Sequence, residues 1–257
     1  MQVHKLSIMH QKIIFNGVLH MKPDFKEIDA VILCGGKGTR LQPMVSDRPK
    51  ALATFGDTTF LDILIGFLKR NGFKNFILCV GYMKDQIKDH FKNTDDNAII
   101  FSEENEPLGT GGALKNAIPF VKSETFLVMN GDSICDINFH DFYHFHKNAN
   151  AILSMALVRT KETKDFGSVI MNESHEITSF KEKVAISNLC LINAGIYFMQ
   201  KDIFSYMPDT SRFSLEHDFF PKMVGERCVG FIVHSELIDI GTPDRYEKAA
   251  HIIEGRE

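Results

Sequence analysis

Three glycines, two cations and a following Pro-Lys pair crowd one short stretch of the chain: Gly35-Gly36-Lys37-Gly38-Thr39-Arg40-Leu41, then Pro49-Lys50. Glycines spaced this closely let the backbone approach a ligand and turn successive N–H groups toward an anion. Lys37, Arg40 and Lys50 bring positive charge to the same loop. The chain as a whole carries 29 lysines and arginines against 33 aspartates and glutamates, a formal net charge of −4. Cations for a polyphosphate must therefore be supplied locally, and nothing global favours nucleic acid or an anionic membrane. Two familiar phosphate loops fail. A G-x-x-x-x-G-K-[ST] loop is absent, and the G-x-G-x-x-G pattern breaks at Leu41 with no acid at the end of a second strand.

Two carboxylates stand where a hard cation could use them. Asp132 follows an apolar run and a glycine in Val128-Met-Asn-Gly-Asp132, and Asp239 precedes Gly241 in Leu237-Ile-Asp-Ile240. Each sits at or near a strand end, where α/β proteins bind ligands. Taken alone, each reads equally well as a turn aspartate. Together with the glycine loop they read as ligands for a metal ion. His140-Asp-Phe-Tyr-His144, with His146 nearby, mimics a zinc helix, but its acid is one methylene short and no third ligand is evident; the segment reads as the polar face of a helix led by Asp136 or Asn138.

These residues need a scaffold. Short apolar runs at 29–34, 76–80, 98–101 and 125–129 read as strands, with helices at 60–70, 83–91 and 114–121 between them. Strand-helix alternation at this spacing predicts a mostly parallel sheet covered by helices on both faces, a Rossmann-like three-layer α/β fold. Beyond about residue 150 the runs at 151–158, 167–171, 177–180, 189–198, 228–233 and 236–240 are strands with few helices, and a final helix follows Pro243. This predicts an antiparallel elaboration in the second half. Residues 1–28 read as an extension ahead of one domain, 29–257.

The ordered motifs resemble one family, the sugar-1-phosphate nucleotidyltransferases. The glycine loop and Pro49-Lys50 carry the resemblance. So do Pro107-Leu-Gly-Thr-Gly-Gly-Ala-Leu114, Asn130-Gly-Asp132, Phe166-Gly167, Glu182-Lys183, Asn193-Ala-Gly195 and Asp239-Ile-Gly-Thr-Pro243. The resemblance implies attack of a sugar 1-phosphate oxygen on the α-phosphorus of an NTP, with pyrophosphate leaving and Mg²⁺ as cofactor. Such a step is driven by positioning and charge stabilisation. It assigns Arg40, Lys50, Asp132 and Lys183 to catalysis, and Asp132 and Asp239 to the metal. Leu33, Gly35, Gly36, Gly38, Thr39 and Arg40 would hold the nucleotide, with Glu103, Leu108, Gly109 and Thr110 at the base. Asn130, Gly131, Gly167, Glu182, Lys183, Asn193 and Gly195 would line the sugar-phosphate side.

The acidic run Glu103-Glu104-Asn105-Glu106 contains no glutamine. Guanine offers two adjacent donors that a carboxylate accepts together, so GTP is the expected nucleotide. Among short members the chain most resembles heptose 1-phosphate guanylyltransferases, which supply bacterial surface polysaccharide. Uridylyl- or guanylyltransferases for N-acetylmuramate, glucosamine, mannose or glucose 1-phosphate stay open, as does a silent nucleotide-binding subunit. A nicotinamide-dependent oxidoreductase is opposed by the failed fingerprint. Five separated cysteines with no C-x-x-C pair point to reduced thiols in the cytoplasm. The partners expected are GTP and a sugar 1-phosphate, with neither nucleic acid nor membrane, and a homodimer is left open.

Overall fold

The computed structural model describes residues 23–92, 98–161, 166–182 and 190–255, Glu182 by its backbone. In chain order the elements are β1 (Asp29–Leu33), β2 (Thr54–Phe55), β3 (Thr58–Thr59), α1 (Phe60–Arg70), β4 (Asn75–Val80), α2 (Lys84–Phe91), β5 (Ile99–Glu103) and α3 (Gly109–Asn116). Then come β6 (Thr125–Asn130), β7 (Ser133–Cys135), α4 (Phe139–Asn148), β8 (Leu153–Thr160), β9 (Gly167–Met171), β10 (Ile177–Glu182), β11 (Cys190–Gln200), β12 (Cys228–Val233), β13 (Leu237–Asp239) and α5 (Pro243–Glu254).

The main sheet runs β10-β9-β11-β6-β1-β4-β5, with β8 pairing both β11 and β12. β6, β1, β4 and β5 are parallel, whereas β11 meets β6 antiparallel. This is the expected α/β fold with its antiparallel second half. The alternation of a strand explains the two-sided core. Ala30 and Ile32 of β1 join one apolar cluster, and Val31 between them joins the other. α1 packs Phe60, Leu61, Leu64, Ile65 and Leu68 inward. A capping box starts it: Thr59 Oγ1 accepts from Asp62 N at 3.2 Å and Asp62 Oδ2 accepts from Thr59 N at 3.1 Å. Asn138 caps α4 through its side chain, accepting from the amides of His140 and Asp141.

Two expectations shift. The helix expected at 114–121 is α3, which begins at Gly109 and is followed by a 3₁₀ turn at Ile118–Phe120. Glycines are poor interior helix formers, so the sequence reads as a loop, but packing against residues 211–214 imposes the helix. Phe25, four residues ahead of β1, is buried and stacks on Phe73 with ring centres 4.7 Å apart. His146 is not on a polar helix face. It is fully buried, its Nδ1 2.8 Å from Ser154 Oγ and its Nε2 3.0 Å from Gln200 Nε2. Cys34, Cys79, Cys135 and Cys228 are buried free thiols. Among the described residues no helix is long and apolar enough to cross a membrane.

Candidate active site

Parallel pairing sets the strand ends level. Leu33 lies beside Cys79 on one side and Asn130 on the other, and Val80 lies beside Glu103. The loops after β1, β4, β5 and β6 therefore leave from one edge, and a cleft of about 940 Å³ opens there. Leu33, Gly35, Gly36, Gly38, Arg40 and Lys50 line it at one end. Gly38 has φ +59°, and a Cβ there would stand 2.8 Å from Lys50 Cβ. The glycine is what lets Lys50 lie against the loop. Thr39 stands beside the cleft rather than in its wall.

Two short strands outside the main sheet bring the two aspartates together. β7 and β13 pair antiparallel with Ser133 opposite Asp239, and Ile240 N donates to Asp132 O at 3.0 Å. This ladder brings two aspartates, 107 residues apart in the chain (239 − 132), to one spot. Lys50 Nζ reaches Asp132 Oδ2 at 2.5 Å. Asp239 Oδ1 accepts from Gly241 N at 3.0 Å and from Arg245 Nη1 at 3.1 Å. Burial raises the Asp239 carboxyl above its ordinary range and the negative charge of Asp132 adds to the rise; Lys50, the Gly241 amide and Arg245 oppose both. Two carboxylates pressed together beside cations are a natural divalent-cation pair. Among the described residues no cluster of three or more His, Cys, Asp or Glu side chains offers a self-sufficient metal cage. The pair suits an ion that keeps water and takes substrate phosphates, as magnesium does.

Where β5 ends, the acidic run divides. Glu103, expected at the base, turns away: its carboxylate pairs with Lys88 at 2.7 Å and Lys84 at 3.2 Å on the outer surface. Successive residues of an extended chain face opposite ways, so the next residue, Glu104, is the one buried in the cleft wall. Its Oε2 accepts from Leu108 N at 2.9 Å. Its Oε1 lies so close to Gly35 that a Cβ there would be 2.3 Å away. Burial raises the Glu104 carboxyl above the usual range, opposed by the Leu108 amide. The missed signal was strand register: Glu104 and the expected Glu103 are neighbours in sequence and opposites in space.

Leu108 serves through its backbone, accepting from Phe213 N at 3.0 Å. Gly109 lines the cleft in the left-handed region at φ +74°, and Thr110 lines it too but gives its hydroxyl to Glu216 Oε2 at 2.6 Å. The segment around Phe213, which sequence reading missed, docks on these glycines. Phe213 O accepts from the Gly111 and Gly112 amides, and Cβ atoms at those glycines would lie 2.2 Å from the Phe213 ring and from Ser211 O.

On the opposite side Asn130, Gly131, Gly167, Asn193 and Gly195 all line the cleft. Asn130 Oδ1 is buried and has no hydrogen-bond partner among the described residues. Asn193 is committed to shaping a bulge in β11: its Oδ1 accepts from Gly195 N at 2.9 Å and its Nδ2 donates to Tyr197 OH at 2.7 Å. Gly195, with φ +74°, would drive a Cβ to 2.7 Å from Asn130 Nδ2. Lys183 and the Glu182 side chain lie outside the described residues.

The nucleotidyl transferase family pattern matches residues 29–255. The chain is 39% identical over 223 residues to a D-glycero-alpha-D-manno-heptose 1-phosphate guanylyltransferase of Campylobacter jejuni, covering 85% of this chain and 97% of that one. It is 37% identical over 224 residues to a protein of the same name from Aneurinibacillus thermoaerophilus, covering 86% and 96%. Among solved structures, HddC from Yersinia pseudotuberculosis complexed with GMP-PN superposes with a TM-score of 0.77 at 34% identity, covering 88% of this chain and 99% of that one.

Proposed function

The chain belongs to the nucleotidyl transferase family, and on that premise we propose that it is a guanylyltransferase joining D-glycero-α-D-manno-heptose 1-phosphate to GTP. The observation that carries this reading is the nearly end-to-end match to two proteins of that activity. The cleft supports it independently. In the proposed step an oxygen of the sugar 1-phosphate forms a bond to the α-phosphorus of GTP, the α–β bridging bond breaks, and pyrophosphate leaves. GDP-heptose remains, a precursor for bacterial surface polysaccharide made in the cytoplasm.

Arg40 and the glycine amides hold the triphosphate, and Lys50 neutralises charge at the α-phosphate while steadying Asp132. Fixed cations of this kind contribute where charge develops. Asp132 and Asp239 would hold Mg²⁺, which would supply neutralisation of phosphate charge. Glu104, in place of Glu103, accepts the N1–H and exocyclic amine of guanine. Asn130 Oδ1 accepts from a sugar hydroxyl, which satisfies an otherwise orphaned acceptor. Gly167 and Gly195 leave room for the sugar ring. Lys183 pairs with the sugar phosphate and Glu182 with sugar hydroxyls, roles that rest on the motif resemblance.

The test is pyrophosphate release with Mg²⁺, crossing four NTPs with heptose, mannose, glucose, glucosamine and N-acetylmuramate 1-phosphates. Turnover confined to GTP with the heptose is the expected result. Preference for UTP or for another sugar would discard the base and sugar assignments while keeping the chemistry.

A further inference from the structure

One side chain outside the assigned set touches two walls of the cleft. Arg245 stands in the first turn of α5. It donates to Asp239 Oδ1 at 3.1 Å, the two side chains being 17% and 12% exposed. Its guanidinium carbon also sits 4.4 Å from the centre of the Phe166 ring. A planar guanidinium can donate within its plane and stack through its face at the same time, which an ammonium cannot. Arg245 and Phe166 line both the cleft and a second cavity of about 360 Å³ that reaches Ile192 and Ala249. With Leu237 and Asp239, which also line both, the stacked pair forms part of the wall the two spaces share.

The two aspartates are tethered alike. Asp132 uses Oδ2 for Lys50, and Asp239 uses Oδ1 for both Gly241 N and Arg245. Among the described residues the side-chain hydrogen bonds of each carboxylate collect on one oxygen, and the other is the one the proposal gives to a ligand. Lys50 and Arg245 come from opposite ends of the chain and perform the same service for the two acids.

We propose that Arg245 is a positioning residue for the sugar 1-phosphate half of the site. It presents Asp239 to a divalent cation by holding one carboxylate oxygen, and it closes the sugar end of the cleft by pinning Phe166. The inference rests on the transfer reaction proposed above. Losing a partner that orients a metal ligand typically weakens metal binding by about 10–100-fold.

The experiment compares Arg245→Met, Arg245→Lys and Phe166→Leu with the wild-type chain. Mn²⁺ binding is followed by the electron paramagnetic resonance of the free ion, with the protein saturated by α,β-methylene GTP, and KM values are measured separately for GTP and heptose 1-phosphate. Arg245→Met is expected to weaken Mn²⁺ by about 10–100-fold and to raise KM for the sugar phosphate, leaving KM for GTP and Tm in place. Arg245→Lys restores Mn²⁺ binding but not the sugar-phosphate KM, because an ammonium cannot bond and stack together. Phe166→Leu raises only the sugar-phosphate KM. Wild-type Mn²⁺ binding and KM in Arg245→Met would overturn the proposal. So would a parallel rise of both KM values with a fall in Tm, the signature of a merely structural residue. If the wild type turns over no sugar phosphate, the transfer reading fails, while the Mn²⁺ titration still decides whether Arg245 presents Asp239.

Discussion

Glu104→Gln separates a carboxylate from its amide at the base end of the cleft. In the native chain Glu104 Oε2 accepts from Leu108 N at 2.9 Å, and in the proposed function the second oxygen is the acceptor offered to guanine. A glutamine has one oxygen. Leu108 N–H claims it, because leaving a buried amide without an acceptor costs about 1–3 kcal/mol. The NH₂ group then faces the two guanine donors. The variant loses a hydrogen bond to a charged group, about 1.5–3 kcal/mol, and leaves those donors unpaired. A combined loss of about 3 kcal/mol corresponds to about a hundredfold fall in kcat/KM for GTP, at 1.36 kcal/mol per factor of ten. Initial-rate pyrophosphate release with GTP and with UTP measures it. UTP, which presents acceptors on either side of its donor, should lose far less, so the GTP:UTP ratio falls. The native enzyme should also lose GTP affinity on acidification sooner than an ordinary glutamate would imply, because burial raises the Glu104 carboxyl and its protonated form presents a donor. That acid limb should vanish in Glu104→Gln. A variant with native kcat/KM for GTP and an unchanged GTP:UTP ratio would refute the reasoning.

Further outcomes are expected elsewhere. Lys50→Met and Asp132→Asn should each lower kcat by about 100–1000-fold, the usual cost of losing a charge-stabilising group, with circular dichroism unchanged; native turnover in either would remove it from the reaction centre. Gly111→Ala should cost about 1–3 kcal/mol by overpacking against the Phe213 ring, measured by urea unfolding, and should raise KM for GTP because α3 forms the adjoining cleft wall; full stability would show that the ring is free to move. His146, pushed down to about 3 chiefly by burial and next by the charge of Lys147, stays neutral in the fold while its unfolded counterpart protonates near 6.5. Its contribution to stability is present above that value and is lost as pH falls toward 3, amounting to about 2 kcal/mol by pH 5; stability curves that coincide in pH slope for wild type and His146→Gln would contradict it.

Local sequence determined a good deal of this protein. The strands of the parallel half are short apolar runs bounded by turn residues, so β1, β4 and β6 were legible from periodicity and punctuation. The glycine loop was legible because close approach to an anion demands residues without side chains. Asp132, at the end of a strand, announced itself by position. Three things were decided only in three dimensions. Which of Glu103 and Glu104 enters the cleft depends on register at the end of β5, and a shift of one residue exchanges the faces. The glycines of Pro107-Leu-Gly-Thr-Gly-Gly look like a loop, yet they become the start of α3 because Phe213 and Ser211, about a hundred residues later, fill the space their missing side chains leave. The partnership of Asp132 with Lys50, 82 residues apart, and the meeting of Asp132 with Asp239 through the β7–β13 ladder, join segments whose separation along the chain carries no local signal. Helix and strand propensities are set within a few neighbours. Charge pairing at the reaction centre is set by which strand ends the sheet topology makes adjacent.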